Sequence, residues 1–235
     1  MWFGTNNGIS HYHRDKKSMS HLTNNLLSFH DISVLTVDNK NNLWVGTDQG
    51  LYVTKIEKNK IDLKFSQVTL TDPLAETAIT SLLVDDDFLW VGTKHLGIYK
   101  HKISMSISEP LTDSHIDLSI AIIQDIKKDY NENLWFATNH GLALLTPNNS
   151  YVYLYQENIS HGVGIAQNNI RKLIVDKQNN PWLISIGSLQ KLNQQSAVFK
   201  TFEVNKNNSS KLKERSVGML GMDQDQTIWL GGYTT

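Results

Sequence analysis

The chain has 235 residues, with 22 basic side chains against 23 acidic ones, six Trp, 14 Gly, four Pro and no Cys. A chain of this length buries about 70 to 75% of its unfolded surface and needs no staples, and without cysteine neither a disulfide scaffold nor a thiolate zinc site is available. The net charge of −1 removes the long-range attraction that holds a protein on DNA or an anionic membrane, so no nucleic-acid partner is expected.

No uncharged apolar run approaches the roughly 18 residues that cross a bilayer, and Met1-Trp2-Phe3-Gly4-Thr5 has no basic region leading into an apolar stretch. This segment is expected neither to carry a signal peptide nor to insert into a membrane itself.

Tryptophan supplies a ruler. Trp2, Trp44, Trp90, Trp135, Trp182 and Trp229 are separated by 42, 46, 45, 47 and 47 residues, which marks an internal repeat that must be read before any local structure. In chain order, the first unit shows Met1-Trp2-Phe3-Gly4-Thr5 and a turn ending at Gly8. The second runs from strand-like Ile32 to Val37 through Asp38 and the turn formers Asn39-Lys40-Asn41-Asn42 to Leu43-Trp44-Val45-Gly46-Thr47. It continues through Gly50, Leu51-Tyr52-Val53 and an alternating stretch, Phe65 to Leu70.

The third unit has Ile79 to Val84, Asp85, Leu89-Trp90-Val91-Gly92-Thr93, Gly97 and Ile98-Tyr99-Lys100. The fourth has Ala121 to Ile126, Asp129, Leu134-Trp135-Phe136-Ala137-Thr138, Gly141 and Tyr151 to Tyr155. The fifth has Ile170 to Val175, Asp176, Pro181-Trp182-Leu183 with Ile184 and Ser185 in place of the small residue and Thr, then Gly187 and Ala197 to Val204. The sixth shows Val217 to Met222, Asp223 and Ile228-Trp229-Leu230-Gly231.

Three consecutive apolar residues at each Trp predict a strand buried on both faces, and the small residue two positions on predicts close approach of another backbone. The Asp six residues before Trp, five in the case of Asp85, reads as a turn residue. Four antiparallel strands per unit of about 45 residues predict an all-β fold of β-propeller blades. About five repeat units are present, in blades of approximately 1–30 (partial), 31–78, 79–120, 121–169, 170–216 and 217–235 (partial). Because Trp2 and Trp229 occupy the same repeat position, the stretch is expected to be a slice of a larger propeller. Its exposed sheet edges would favour association, with a homodimer as one outcome.

The string Asp-x-x-x-Asn-Leu-Trp-Val-Gly-Thr-x-x-Gly-Leu, from Asp38 to Leu51 and with small changes from Asp129 to Leu142, resembles the two-component regulator propeller repeat. The resemblance covers essentially the whole chain. It implies a periplasmic or extracellular propeller on the outer side of a bacterial inner membrane, joined to other blades and domains of the same protein and to a histidine kinase or diguanylate cyclase output. It also implies a small-molecule ligand, oligosaccharides being sensed by several relatives.

In a propeller the turn between strands two and three and the connection from strand four to the next strand one share a face, where ligands commonly bind. The ligand-binding candidates there are Asp48, Gln49, Lys94, His95, Asn139, His140 and, in the connection Glu157 to Asn169, His161. His95 and His140 stand at one repeat position, but second strands of neighbouring blades lie roughly 10 Å apart, too far to share a metal. Asp129-x-Asn131-x-Asn133 and Asp223-x-Asp225-x-Thr227 start like calcium loops but lack the later Gly and bidentate Glu.

No metal and no cofactor are therefore expected. With no Gly-x-Ser-x-Gly and no Cys there is no nucleophile setting, and Asp85-Asp86-Asp87 reads as a solvated turn. Lys206 to Arg215 reads as a basic surface loop without aromatics to stack bases. Phe29 and Tyr155 are the nearest rings for stacking a sugar. The expected function is a non-enzymatic, ligand-sensing module of a membrane-bound signalling protein. The alternatives are a protein-interaction scaffold and, behind it, a propeller lyase.

Overall fold

The computed structural model describes residues 1–22, 27, 30–56, 63–68, 74–112, 116–147, 152–157, 164–185, 188–203 and 217–232. Among them the only helical piece is a 3-10 turn at Leu74–Glu76. The first sheet consists of β1 (Trp2–Thr5), β2 (Gly8–His13) and β3 (Ser18–Leu22). The second holds β4 (Ile32–Val37), β5 (Asn42–Thr47), β6 (Gly50–Lys55) and β7 (Ser66–Gln67). The third holds β8 (Ile79–Asp85), β9 (Phe88–Thr93), β10 (Ile98–Lys102) and β11 (Ile107–Pro110).

The fourth sheet comprises β12 (Ile123–Lys128), β13 (Leu134–Thr138), β14 (Gly141–Leu145) and β15 (Val152–Tyr155), and the fifth β16 (Ile170–Val175), β17 (Pro181–Ser185), β18 (Ser188–Asn193) and β19 (Val198–Glu203). β20 (Val217–Met222) and β21 (Ile228–Gly232) form the sixth. Within every sheet, spatial order equals chain order and neighbours run antiparallel. These are propeller blades, as the repeat predicts.

Two compact units are present: Met1–Thr112 with Leu118–Ile120, and Asp113–Asp117 with Ala121–Thr235. In the first, Leu51, Val68, Ile79, Leu89 and Val91 pack around Trp44. In the second, Leu142, Ile170, Leu173, Leu183 and Leu192 pack around Trp135. Trp44, Trp90 and Trp135 are buried, whereas Phe3 is exposed and Trp229 is 65% exposed. The expectation of burial on both faces is thus not met by β1 and β21 among the described residues.

A Cβ on Gly46 would fall 2.6 Å from Val34 Cγ1 and 2.8 Å from Ile79 Cγ2. What needs the small residue after Trp is therefore chiefly the side chains of first strands, here both its own and the next blade's. At the same position Ala137 is fully buried.

The repeated Asp has more to do than make a turn. Asp129 Oδ1 accepts the N–H groups of Asn131 and Asn133 at 2.8 and 3.0 Å, while Oδ2 accepts Asn133 Nδ2 and the indole Nε1 of Trp135, each at 2.9 Å. Asp38 holds Lys40, Asn42 and Trp44 in the same way, with the indole at 3.0 Å. Asp176 and Asp223 repeat the bond to Trp182 and Trp229 at 2.9 and 2.8 Å. The carboxylate closes the hairpin and also satisfies the one polar atom of the buried indole.

The spacing exception has a structural cause. Where six residues separate Asp from Trp, a three-residue loop ends in a left-handed residue, such as Asn41 (φ 59°) or Glu132 (φ 66°). Asp85 instead pairs directly with Phe88 across a two-residue turn with Asp86 at φ 52°. The shorter loop lengthens the Asp85–Trp90 bond to 3.4 Å.

Candidate ligand face

Each turn between second and third strands is held by the Thr that follows the small residue. Thr47 Oγ1 donates to the Gly50 carbonyl at 2.9 Å and accepts the Gln49 N–H at 3.0 Å. Thr93 bonds Gly97 and Leu96 at 2.9 and 2.8 Å, and Thr138 bonds Gly141 and His140 at 2.8 and 2.9 Å. In the fifth blade Ser185 reaches Ser188 at 2.6 Å instead.

The glycine closing each turn is required twice over. Gly50, Gly97 and Gly141 have φ of +110°, +67° and +138°, a region that L side chains rarely adopt. A Cβ on Gly50 would also fall 2.5 Å from the Ala75 carbonyl oxygen, and on Gly97 and Gly141 closer still to those of Leu118 and Tyr155. The chain leaving strand four thus passes directly over the turn, and Gln67 Nε2, bonded to Gln49 O and Ala75 O at 3.3 and 2.9 Å, stitches the two together. Gln156 Nε2 does the same for His140 O at 3.1 Å. Turn and connection form one rim in each of these blades.

On that rim the candidates divide by role. Asp48 Oδ1 accepts the Asp31 N–H at 3.2 Å, and Asn139 Oδ1 accepts the Ile122 N–H at 2.9 Å, so both side chains extend the pairing of their own first strand. His30 Nδ1 stands 3.4 Å from Asp48 Oδ1 with its ring tilted on Tyr52. Burial, and then the Asp48 charge, push the Tyr52 hydroxyl up from its ordinary pKa. The side chains of Gln49, Lys94, His95 and His140 are exposed, and His140 Nδ1 leans on Asn139 Oδ1 at 2.9 Å. His161, Phe29 and the basic loop Lys206 to Arg215 lie outside the described residues. Tyr155 does not offer a sugar platform, because its ring is stacked on Trp135 and edge-on to Phe199. Burial raises its hydroxyl pKa.

Sequence reading missed a second set of rim residues. In all five complete first strands the pairing slips by one residue near the start, between Ile32/Val34, Ile79/Ser81, Ile123/Asp125, Ile170/Lys172 and Val217/Met219. The bulged residues are Ser33, Thr80, Gln124, Arg171 and Gly218, four of them polar, and bulges re-aim side chains out of the regular alternation. Ser33 Oγ donates to Gly46 O at 3.1 Å and also reaches Ile79 O of the next blade, while Gln124 reaches Asn169. The signal available in the sequence was a polar residue in second place of an otherwise apolar strand.

Among the described residues no group of three or more His, Asp and Glu could hold a metal ion. Among the same residues no helix is long and apolar enough to cross a membrane.

The arrangement defines a module of propeller blades whose turns and connections carry exposed polar side chains. No protein-family model matches the chain. Solved structures of this fold include the extracellular domain assigned to the hybrid two-component system BT3049 of B. thetaiotaomicron, 22% identical, with TM-score 0.79 over 98% of this chain and 30% of that one. The corresponding domain of BT4673 is 16% identical, with TM-score 0.65 over 98% of this chain and 37% of that one. YCF48 bound to D1 peptide is 14% identical, with TM-score 0.68 over 98% of this chain and 71% of that one. In sequence, the chain is 26% identical over 168 residues to Histidine kinase P4 of Formosa agariphila, covering 67% of this chain and 12% of that kinase. The likeness to propellers of two-component systems, read from the repeat, is thus met again in both sequence and structure, and the chain spans only a minor part of those relatives.

Proposed function

We propose that the chain is the extracytoplasmic, ligand-sensing propeller module of a membrane-bound signalling protein, non-enzymatic itself, whose output is a histidine kinase or diguanylate cyclase. The observation that carries this reading is the superposition of 98% of the chain on the extracellular domain assigned to a hybrid two-component system, together with the sequence match to a histidine kinase. The ligand class is an oligosaccharide. Its hydroxyls are read by exposed rim side chains, Gln49, Lys94 and His95 in the first compact unit or, separately, His140 in the second. Asp48 and Asn139 hold the rim in shape.

Such a module transmits a signal only if the ligand binds two arrangements of the receptor with different affinity. The test is phosphotransfer or cyclase output of the whole protein in vesicles, with oligosaccharides supplied on the side the propeller faces. A response that the double variant Lys94→Ala/His95→Ala removes supports the reading. Output indifferent to every oligosaccharide, or a propeller facing the cytoplasm, defeats it. The second reading, a protein-interaction scaffold, draws on the fold shared with YCF48 bound to D1 peptide; saturable peptide binding at the same rim without any sugar response would favour it.

A further inference from the structure

β2 breaks the pattern of its repeat by placing imidazoles at both His11 and His13, two residues apart and so on one face of the strand. His11 pairs with Trp2 across the ladder, the position filled by Val53 opposite Trp44, Lys100 opposite Trp90 and Lys191 opposite Trp182. In the third and fifth blades the lysine there lies over the Trp ring. In the first blade the His11 ring takes its place, stacked on Trp2 with centroids 4.0 Å apart, and His13 meets His11 edge-on at 4.2 Å.

The two rings bring His11 Nδ1 and His13 Nε2 to 3.3 Å. Two imidazole nitrogens on one tetrahedral ion at about 2.0 to 2.1 Å stand about 3.3 Å apart, the chord of the tetrahedral angle. Both rings are half-buried, and they line an open cleft of about 560 Å³ together with Asp15, Arg14 and Lys16. Ser20 Oγ lies 3.0 Å from the same His13 Nε2 and 3.5 Å from the His11 carbonyl oxygen, so the ring is oriented before any ion arrives, and an ion would displace that bond.

The geometry points to a two-histidine chelate for a divalent transition metal at His11 and His13, Zn(II) by its tetrahedral nitrogen separation, with water completing the coordination and Cu(II) serving as a spectroscopic probe. Imidazole pairs favour these ions over Mg or Ca, and Cu(II) stands highest in the affinity order. The site is distinct from the rim, and its ion would sit beside the ring that stacks on Trp2. No third protein ligand is needed for a chelate of this kind.

The test is calorimetric titration of the whole chain at neutral pH with Cu(II) and, separately, Zn(II). One saturable site per chain is expected, weakened at least tenfold in both His11→Ala and His13→Ala and unchanged in His95→Ala. Because His11→Ala also removes the stacking partner of Trp2, electron paramagnetic resonance of the Cu(II)-loaded, unaltered chain gives an independent reading, with coupling to two imidazole nitrogens expected. Absence of a saturable site, an affinity in His11→Ala or His13→Ala equal to that of the unaltered chain, or coupling to a single nitrogen would overturn the proposal.

Discussion

Removing the Asp129 carboxylate should expose how much of a blade rests on the bond between its turn and its tryptophan. Four N–H groups converge on the two oxygens, and Gln194 Nε2 adds a fifth at 3.2 Å. In Asp129→Ala the N–H groups of Asn131 and Asn133 turn to water at little loss, about 1 kcal/mol together. The Trp135 indole, only 1% exposed, cannot do so, and a buried donor left unpaired costs about 1 to 3 kcal/mol. The sum, about 2 to 4 kcal/mol, corresponds to a fall of about 1 M in urea midpoint at a slope of roughly 3 kcal/mol/M. Asp129→Asn should lose about half as much, because an amide offers one acceptor oxygen to donors that occupy both sides. Urea unfolding followed by tryptophan fluorescence measures all three chains, with Asp223→Ala as the control. That carboxylate makes the same indole bond, but Trp229 is 65% exposed and its N–H can find water. A midpoint for Asp129→Ala within about 0.3 M of the parent, or an equal fall in Asp223→Ala, would refute the reasoning.

Other consequences can be checked on the same chain. Gly141→Ala places a side chain at φ +138° against the Tyr155 carbonyl oxygen and should cost about 1 to 3 kcal/mol, read as a lower Tm; an unchanged Tm would mean the rim adapts. Trp90→Ala, at a residue 4% exposed, should cost about 3 to 5 kcal/mol in urea unfolding, and an unmoved midpoint would contradict its place in the core.

Acid should act in two steps. His101 is fully buried, its Nδ1 2.9 Å from Ser108 Oγ, and burial lowers its pKa. The folded state therefore resists the proton, and stability present above about 6.5 declines as pH falls below it. For Asp38 and Asp176, burial by itself would raise the pKa. Hydrogen bonds outweigh it and hold both low, from Asn42, Trp44 and Lys40 onto Asp38 and from Lys191, Asn180 and Trp182 onto Asp176. Their contribution is present above about 3.9 and is lost as pH falls through the depressed folded values. His101→Gln should flatten the first step alone, and an unaltered pH profile of Tm would remove His101 from the account.

The blades were legible because each local rule recurs in register. Trp, the small residue, Thr and the closing Gly each fix one feature of the same hairpin, and Thr47, Thr93 and Thr138 all clamp the turn that their position implies. What the sequence concealed is how the side chains converge. Turn chemistry accounts for the Asp on its own, so its bond to an indole six residues away is visible only once the hairpin brings the two together. Bulges were hidden for a similar reason, since Ser33 and Gln124 look like ordinary members of an alternating strand until pairing slips beside them. At the rim, sequence position placed Asp48 and Asn139 among the ligand candidates, and only the structure shows that each also accepts a backbone N–H from the start of its own first strand. The histidine pair of β2 escaped notice because only the stacking on Trp2 and the rotation of the two rings bring its nitrogens to 3.3 Å.

The central claim is that this propeller segment senses a ligand at its rim. It is tested most directly by thermal unfolding of the chain across a panel of oligosaccharides. A ligand at about 100 times its Kd stabilises the folded state by about 2.7 kcal/mol, a rise of roughly 5 to 10 °C in Tm for a chain of this size. The account expects at least one oligosaccharide to produce a saturable rise that Lys94→Ala/His95→Ala abolishes while leaving the ligand-free Tm unchanged. A panel that moves Tm nowhere, or a rise that survives in the double variant, would contradict it.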